Sequence, residues 1–364
     1  MLNLASLAMV LLATARPVTD TTITVKAGTR VVIDNFAGAI VVDTWTKNAV
    51  RVRAEHSRRA QLDIEHAVAR LDLSAHGKWG EPVFVDFAIT VPAGTPIELT
   101  GVDTDIEVRG GEGAVKAETV KGDVLVEGAK GAVTCSSVEG EVVVLNSRGR
   151  VEASAVNDIV RVVGATGVVQ AESVNGDVFL EQLKAGTVEA STVNGEVYFV
   201  GDIQSDGDYS FSSHNGGIRV GVPVNTNCSG SVSTYGGSFE SSFSIDRSDK
   251  KKRENDFTFT IGDGSARLEL ESFNGSIRLD RPEAVAQQIA RAHAEREAHA
   301  KVYKDKKAYA SEKKQEELER KMEQKERELE RRLEQKEKEK EKRESEQEED
   351  DDDKHPDSNP DDEN

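Results

Sequence analysis

Five acidic residues recur at one position of a short repeated motif: Asp105, Asp123, Glu141, Asp177 and Glu196. If the copies stack, these carboxylates form a row along one edge of the stack, where they could bind Ca²⁺ or a cationic surface. Ca²⁺ takes about six to eight oxygen ligands that include loop carbonyls, and the calcium-binding G-G-x-G-x-D repeat is absent from the sequence. We therefore favour a solvated edge whose charges block aggregation between sheets, with a metal site as the alternative.

Basic residues precede the glycines of the intervening copies. Lys130 and Arg148 lie directly before their glycines, and Lys184 lies near the equivalent place. These side chains are expected at the corner opposite the acidic edge.

The other residue types that carry chemistry stand in no catalytic pattern. None of the seven histidines lies in an H-E-x-x-H, nucleophile-elbow or paired-cysteine setting. His214 occupies the valine position of its motif, which predicts a distorted corner rather than a general base. The serines and threonines are repeat positions and give no isolated nucleophile. We predict no catalytic residue and no cofactor, so the protein is predicted not to be an enzyme.

The motif repeats every nine residues. Glycines at 113, 122, 131, 140 and 149 keep this spacing, Asp158 takes the next position, and the series continues through glycines 167, 176, 186 and 195 with a one-residue insertion. A valine lies two positions after every member of the series. Ten copies in one register indicate a repeat architecture.

Alternate copies differ in the size of one side chain, so the full period is eighteen residues. Four positions after the glycine, one half has small residues and the other has large ones: Ala117, Cys135, Ala153, Ala171 and Ala190 against Val126, Val144, Val162, Leu180 and Phe199. Small residues facing large ones fill the space between two sheets without voids. Cys135 is therefore predicted to be a buried small residue. A disulfide between Cys135 and Cys228 remains open, because an exported protein could form one.

The Asn175-Gly176 pair raises a choice between a hairpin turn and the corner of a coil. Asn-Gly between alternating apolar residues is a strong hairpin signal. The apolar residues before it are Val169, Ala171 and Val174, however, so the alternation slips by one residue. Because the same slip recurs in other copies, we interpret it as a bend that turns Val174 into the core. The sequence thus predicts an all-β parallel solenoid with coils of about 18 residues, with a hairpin meander as the alternative.

The repeat extends in both directions along the chain. "GVDTDIEV" from Gly101 is one coil earlier, "DNFAGAIVV" from Asp34 is a divergent copy, and three looser copies follow from Ser212, Ser233 and Glu271. The predicted domains are a signal peptide (1–15), a β-rich N-terminal cap of antiparallel strands (16–100), the solenoid (101–281), a charged α-helix (282–345) and a disordered acidic tail (346–364). "DRSDKKKREND" from Asp246 is expected to be an exposed loop within the solenoid.

The run "ITVPAGTPIELTGVDTDIEV", continued by serial S/T-V-x-G-D/E-V units, resembles the bacterial putative-adhesin family of β-strand repeats, a domain of unknown function. The resemblance covers about residues 30–280 and depends on the whole array. It implies a solenoid-like fold and a cell-envelope or extracellular location. It brings no catalytic residue that could be transferred to this chain.

The two ends of the sequence predict export and a solvated tail. An apolar run ends in Ala13-Thr14-Ala15, typical of a signal peptide cleaved after Ala15, although no Lys or Arg precedes it. An uncleaved segment or a misplaced start is the alternative. After signal removal no transmembrane segment is expected. The last 19 residues carry 11 acidic side chains and one basic one, which predicts disorder.

Residues 282–345 are expected to form an isolated helix, with Pro282 in its first turn. Acid-to-base pairs four residues apart recur along it, and its apolar residues are too sparse for a coiled coil. We therefore expect a β core whose melting does not depend on the helix, so that truncation after Asp280 should leave the midpoint unchanged.

The formal net charge of −19 and the lack of a basic patch argue against nucleic-acid binding. We predict an exported scaffold, located in the periplasm, at the cell surface or outside the cell, that contacts an envelope or surface component, either protein or polysaccharide. Alternative functions are a carbohydrate-active solenoid enzyme, which would need paired carboxylates in a cleft, and an envelope sensor or spacer acting through the charged helix.

Overall fold

The computed structural model describes residues 17–247, 256–298 and 324. The predicted signal peptide, the acidic tail and most of the charged helix lie outside the described residues, as does most of the charged loop after Asp246. Contacts divide the chain into two units, Met1–Ala290 and Arg291–Asn364. In the second unit, residues 291–298 and Gln324 are helical. Among the described residues, no helix has the length and apolarity needed to cross a bilayer.

Two sets of strands alternate along the repeat region. Strands β7 (Ile97–Arg109) and β15 (Val178–Thr192) each contribute residues to both sets. One set consists of β8 (Val115–Lys121), β10 (Val133–Glu139), β12 (Arg148–Ala155) and β14 (Thr166–Ser173), which have small inward residues, and of β17 (Asp208–Ser213), which continues the set with the large inward residues Tyr209 and Phe211. The strands with large inward residues are β9 (Val124–Glu127), β11 (Val142–Leu145), β13 (Val160–Val163), β16 (Val197–Gly201) and β18 (Ile218–Gly221).

Each strand pairs in parallel with the corresponding strand of the next coil. Val133 pairs with Val151, and Val142 pairs with Val160, so both sets keep an offset of eighteen residues. The register shifts by one because Gly167 pairs with Ala185 and Val168 with Thr187, which leaves Gly186 of β15 as the inserted residue. Parallel pairing cannot arise from two-residue hairpins. The hairpin alternative is therefore wrong, and the described strands form a long, solenoid-like β stack.

The core lies between the two sets of strands. Every small residue from Ala117 to Ala190 and every large residue from Val126 to Phe199 in the two predicted series is buried. Cys135 pairs in register with Ala117 and Ala153, as its place in the small series predicts. Both cysteines are buried and free, so they form no disulfide.

The predicted slip in alternation is wrong. Inward residues continue in strict alternation through Ala171 to Ser173, and Val174 is 40% exposed. The prediction assumed that the apolar side chain must be the inward one. The corner instead turns the serine hydroxyl inward because backbone groups there need a hydrogen-bond partner.

The N-terminal part combines antiparallel strands with one parallel coil. Its strands are β1 (Val18–Thr24), β2 (Arg30–Trp45), β3 (Ala49–His56), β4 (Gln61–His66), β5 (Arg70–His76) and β6 (Phe84–Pro92). The pairs β1–β3, β3–β6 and β4–β5 are antiparallel, as expected. Strand β2 departs from that expectation because it pairs in parallel with β5, β6 and β7. Its "DNFAGAIVV" copy aligns Ile40 with Ile106 and Val42 with Val108, so β2 forms a coil of the stack.

The C-terminal strands do not follow chain order. They are β19 (Cys228–Thr234), β20 (Phe239–Ser241), β21 (Asp246–Arg247), β22 (Asp256–Ile261), β23 (Ala266–Ser272) and β24 (Ile277–Asp280). Strand β23 lies between β17 and β19, with both of which it pairs in parallel. Strand β22 pairs antiparallel with β19 on the far side. This order explains the looser spacing of the last three copies of the motif.

A helix begins at Pro282, as predicted, and its first turns pack on the last coil. Val285 and Ile289 are buried. A Cβ placed on Gly221 would lie 3.0 Å from the Val285 Cβ and 3.1 Å from the Pro282 Cα, so the helix packs closely against this glycine. The expectation of an isolated helix is therefore wrong for these two turns. The prediction gave weight to the charged residues after 312 and overlooked two aliphatic residues spaced four apart.

Candidate functional site

Seven coils turn one corner with the same hydrogen bond from a serine or threonine hydroxyl to a backbone carbonyl of the neighbouring coil, whereas Asn35, Gly101 and Ala155 stand at this position in three others. The Ser173 hydroxyl donates to the Asp158 carbonyl at 2.9 Å and accepts from the Gly176 N–H at 3.0 Å. Thr192 and Ser213 make the equivalent bonds to the carbonyls of Gly176 and Gly195. These bonds give the S/T-V-x-G motif its physical meaning, because they satisfy backbone groups that the bend removes from the strand ladder.

The glycine of the motif is required by the close approach of the previous coil. A Cβ on Gly176 would lie 2.1 Å from the Asp158 carbonyl oxygen, and one on Gly195 would lie 2.1 Å from the Gly176 carbonyl oxygen. No side chain fits at those distances. The corner therefore keeps glycine in eight of the ten coils, and Thr104 and Asp158 take this position in the other two.

The corner exposes one side chain per coil, and these form a continuous ladder. Backbone hydrogen bonds and strand register align ten of them, which we call the corner ladder: Phe36, Val102, Val120, Val138, Val156, Val174, Val193, His214, Phe273 and Tyr235. The nine valine and aromatic members are 37–70% exposed. The His214 ring stacks on Phe273 at 4.9 Å, and Phe273 stacks on Tyr235 at 5.2 Å. His214 keeps the usual backbone bonds, so the predicted distortion of its corner is wrong.

An asparagine ladder lies beside the corner ladder. The side-chain amide of Asn175 donates to Asn157 at 2.9 Å, and that of Asn194 donates to Asn175 at 2.8 Å. The series continues through Asn215 and Asn274 at 2.8 and 3.0 Å. These amides bond one another from coil to coil, so this part of the flank is polar but uncharged, whereas Asp103, Lys121 and Glu139 occupy the same position in earlier coils.

The predicted acidic edge forms a row whose carboxylates bind backbone. Asp105 accepts a hydrogen bond from the Asp123 N–H at 3.0 Å, Asp123 accepts from Glu141 at 2.9 Å, and Asp177 accepts from Glu196 at 2.8 Å. One oxygen of each acceptor is thereby used within the stack. Across the described residues, no group of three metal-ligating side chains is close enough to hold an ion.

Glu196 is the member of the row with the strongest electrostatic environment. Arg219 donates to both of its carboxylate oxygens at 2.9 Å, and the Tyr198 hydroxyl donates to one of them. Burial alone would raise the pKa of Glu196, but the bonds from Arg219 and Tyr198 outweigh burial and lower it. Burial and the bond to Glu196 raise the pKa of the Tyr198 hydroxyl. This arrangement keeps Glu196 ionised, which suits an ion pair and does not suit a general acid.

On the side opposite the core, strands β8, β10, β12, β14, β15, β17, β23 and β19 present a surface that we call the outer polar face. It consists of two rows, neither of which contains an apolar side chain: Lys116, Thr134, Glu152, Gln170, Glu189, Ser210, Glu269 and Ser231, and Glu118, Ser136, Ser154, Glu172, Ser191, Ser212, Glu271 and Ser233. Shallow grooves cross it, one of them lined by Thr134, Glu152 and Gln170. Another groove runs beside His214 and Phe273. The sequence analysis identified neither this face nor the corner ladder, whose valines were assigned to the core.

Comparison with known proteins gives a family but no function. No curated protein matches the chain. A solved structure from Clostridium sporogenes, described as a putative cell adhesion protein, aligns over 73% of this chain and 100% of its own, with 8% identity and a TM-score of 0.22. Likeness at that level supports no conclusion about function. The model of the Toastrack DUF4097 family matches residues 28–280, from the start of the first coil to the last strand. This span exceeds half of the chain and agrees with the resemblance to a β-repeat domain of unknown function, so the chain belongs to the Toastrack DUF4097 family.

Proposed function

We propose that this protein is a non-enzymatic, exported β-solenoid scaffold that binds a surface or cell-envelope component, protein or polysaccharide, through its outer polar face. The observation that carries the proposal is the face itself: sixteen polar side chains in two regular rows on a backbone fixed by parallel pairing. Repeat proteins use such extended surfaces for binding.

The chemistry of the face limits the partner. Eight hydroxyls, six carboxylates, one amide and one lysine give it a high density of hydrogen-bonding groups and an acidic balance. Hydroxyl-rich glycans and basic protein segments both match these groups. The negative charge of this face is unfavourable for binding anionic lipid or nucleic acid.

The membership of a family without known activity and the ion-paired state of Glu196 both support a binding role over catalysis. The export component rests on the apolar segment before Ala15, which the sequence analysis interprets as a signal peptide. A carbohydrate-active enzyme would need a carboxyl group that holds a proton near neutral pH. The hydrogen bonds that Glu196 accepts from Arg219 and Tyr198 instead lower the pKa of its carboxyl group.

The proposal is tested by fractionation and capture. The native protein should be found outside the cytoplasm with its N-terminus at Arg16, and it should co-purify with envelope material. Reversing three charges on the row distant from the corner ladder (Glu152→Lys, Glu189→Lys and Glu269→Lys) should reduce capture at least tenfold. Reversal of exposed charges elsewhere (Glu65→Lys, Glu81→Lys and Glu127→Lys) is the matched control. Equal capture by both triple variants, or a cytoplasmic location, would contradict the proposal.

A further inference from the structure

The corner ladder is an apolar surface that the fold does not require. His214 occupies a ladder position with the same backbone bonds as its valine neighbours, His214 N–H to Thr192 and Asn274 N–H to His214. A polar ring is therefore compatible with the corner. Six valines and three aromatic residues nevertheless fill the other nine positions. Contiguous exposed apolar surface of this kind marks an interaction site.

The extent of the ladder matches a protein–protein interface. Ten positions at about 4.8 Å per coil extend over about 43 Å. Given their exposed fractions, the valines and aromatic residues present roughly 700 Å² of accessible surface, compared with about 800 Å² per partner in an interface of standard size. The flanking rows supply the remaining area.

We propose that a second copy of this chain packs against the corner ladder, ladder to ladder and antiparallel, to form a two-fold symmetric dimer. This inference concerns a different surface from the one assigned to partner binding. Side chains that repeat every 4.8 Å interdigitate over their whole length only with a surface of the same period. A second copy provides that period together with self-complementarity.

The antiparallel arrangement places the dimer axis between Val156 and Val174. Val120 then faces His214 of the second copy, and Phe36 faces Tyr235. The distance between the two members of such a pair within one chain is large: five coil spacings, about 24 Å, separate Val120 from His214. Only contact between copies can bring these positions together.

The charges beside the ladder select this register. On the flank that belongs to the outer polar face, Glu118 meets Ser212 of the second copy, Glu172 meets Ser154, and Glu271 meets Thr100. Each carboxylate thus faces a hydroxyl. A shift of one coil in one direction would place Glu118 opposite Glu271, and a shift in the other would place Glu271 opposite Asp34. Like charges in such positions are destabilising.

The opposite flank is also compatible with this register. Asp103, Lys121 and Glu139 each face an amide of the asparagine ladder, Asn274, Asn215 and Asn194 in that order. The central pair is Asn157 against Asn175. Two copies of a chain with a net charge of −19 can therefore meet here without opposed carboxylates.

Sedimentation equilibrium of the full chain tests the proposal. The wild-type protein should be a dimer at micromolar concentration, and added salt should strengthen association because it screens the overall repulsion. Val156→Glu with Val174→Glu should weaken dimerisation at least a hundredfold while the circular dichroism spectrum is retained. Val68→Glu with Val224→Glu alters two exposed valines outside the ladder and should leave the dimer unchanged. A monomeric wild type, or a dimer insensitive to the ladder variant, would overturn the proposal.

Crosslinking tests the orientation. A short bis-maleimide should link Val120→Cys to His214→Cys when the two single variants are mixed, and it should link neither variant to itself. The native thiols are poor competitors, because burial raises the pKa of Cys135 to about 12 and that of Cys228 to about 11. Efficient linking of Val120→Cys to itself would contradict the antiparallel arrangement. Full envelope capture by the triple variant Glu152→Lys, Glu189→Lys and Glu269→Lys, in a protein that still dimerises, would count against the proposed function alone.

Discussion

Replacing Val178 by aspartate tests the division between core and corner most directly. Val178 is fully buried and pairs in register with Val160 and Val197, which are also buried. The loss of valine burial costs about 2 kcal/mol. The carboxyl group would have to be protonated in that environment, which costs about 4 kcal/mol at pH 7 from an ordinary pKa of about 3.9.

The expected destabilisation of Val178→Asp at pH 7 is therefore roughly 6 kcal/mol, a large part of the stability of a typical domain. The pH dependence identifies its cause. Because the pKa of the new carboxyl is raised in the folded state, its penalty is absent below about pH 4 and grows as the pH rises towards the folded-state pKa. Between pH 7 and pH 5 the difference from wild type should shrink by about 2.7 kcal/mol.

Urea unfolding followed by circular dichroism at pH 5 and pH 7 measures both quantities. Val174→Asp is the matched control, because this residue lies only four positions away but is 40% exposed. At dilutions where the protein is monomeric, it should cost only about 1 kcal/mol, for the buried part of the valine, and this cost should be the same at both pH values. Equal effects of the two substitutions, or a cost at Val178 that does not change with pH, would refute the assignment of the core.

Four further outcomes are expected. Truncation after Asp280 should lower stability by about 3–5 kcal/mol because it removes buried Val285 and Ile289, whereas truncation after Ala298 should not; melting midpoints decide this. At pH 8 both thiols should resist iodoacetamide in the folded protein and react in urea, since burial raises the pKa of Cys135 to about 12 and that of Cys228 to about 11. Cysteines replacing Asn157 and Asn175 should form a disulfide, because the two side chains are in contact, with Asn175 Nδ2 2.9 Å from Asn157 Oδ1. Failure of this disulfide to form in a folded variant would contradict the parallel stack. Millimolar Ca²⁺ should raise the melting temperature no more than Mg²⁺ does, because carboxylates of the acidic edge already accept backbone N–H bonds, and a calcium-specific rise would identify a metal site.

The sequence predicts those features that follow from strict periodicity. An offset of eighteen residues, the buried small and large series and the insertion near Gly186 all recur in the pairing. Stacking in register places like residues on like residues, so one coil specifies the next. Features that occur once, such as the mixed pairing around β2 and the insertion of β23 between β17 and β19, have no period and were predicted only in part.

The corner ladder was harder to predict because, at the corner, the polar side chain is buried and the apolar side chain is exposed. A single-sequence analysis assigns Val174 to the interior and Ser173 to the surface on hydrophobicity. The backbone reverses that order, since the Asp158 carbonyl and the Gly176 N–H both need the serine hydroxyl. The motif S/T-V-x-G therefore contains the necessary signal, but only in the hydroxyl that precedes the valine.

This exchange also explains why one motif could serve both folding and recognition. The hydroxyl is fixed by hydrogen bonding, and the glycine is fixed because a Cβ at Gly176 would lie 2.1 Å from the carbonyl oxygen of the neighbouring coil. The valine position, which directly follows the serine or threonine, is constrained only to an extended backbone. β-Branched residues are well suited to that conformation. Valine beside valine also buries more than half of each side chain along the ladder. That packing stabilises each coil on the next, and the exposed remainder forms one straight apolar surface. A stack that grows by repeating this corner thus extends its binding surface by about 4.8 Å for each coil it adds.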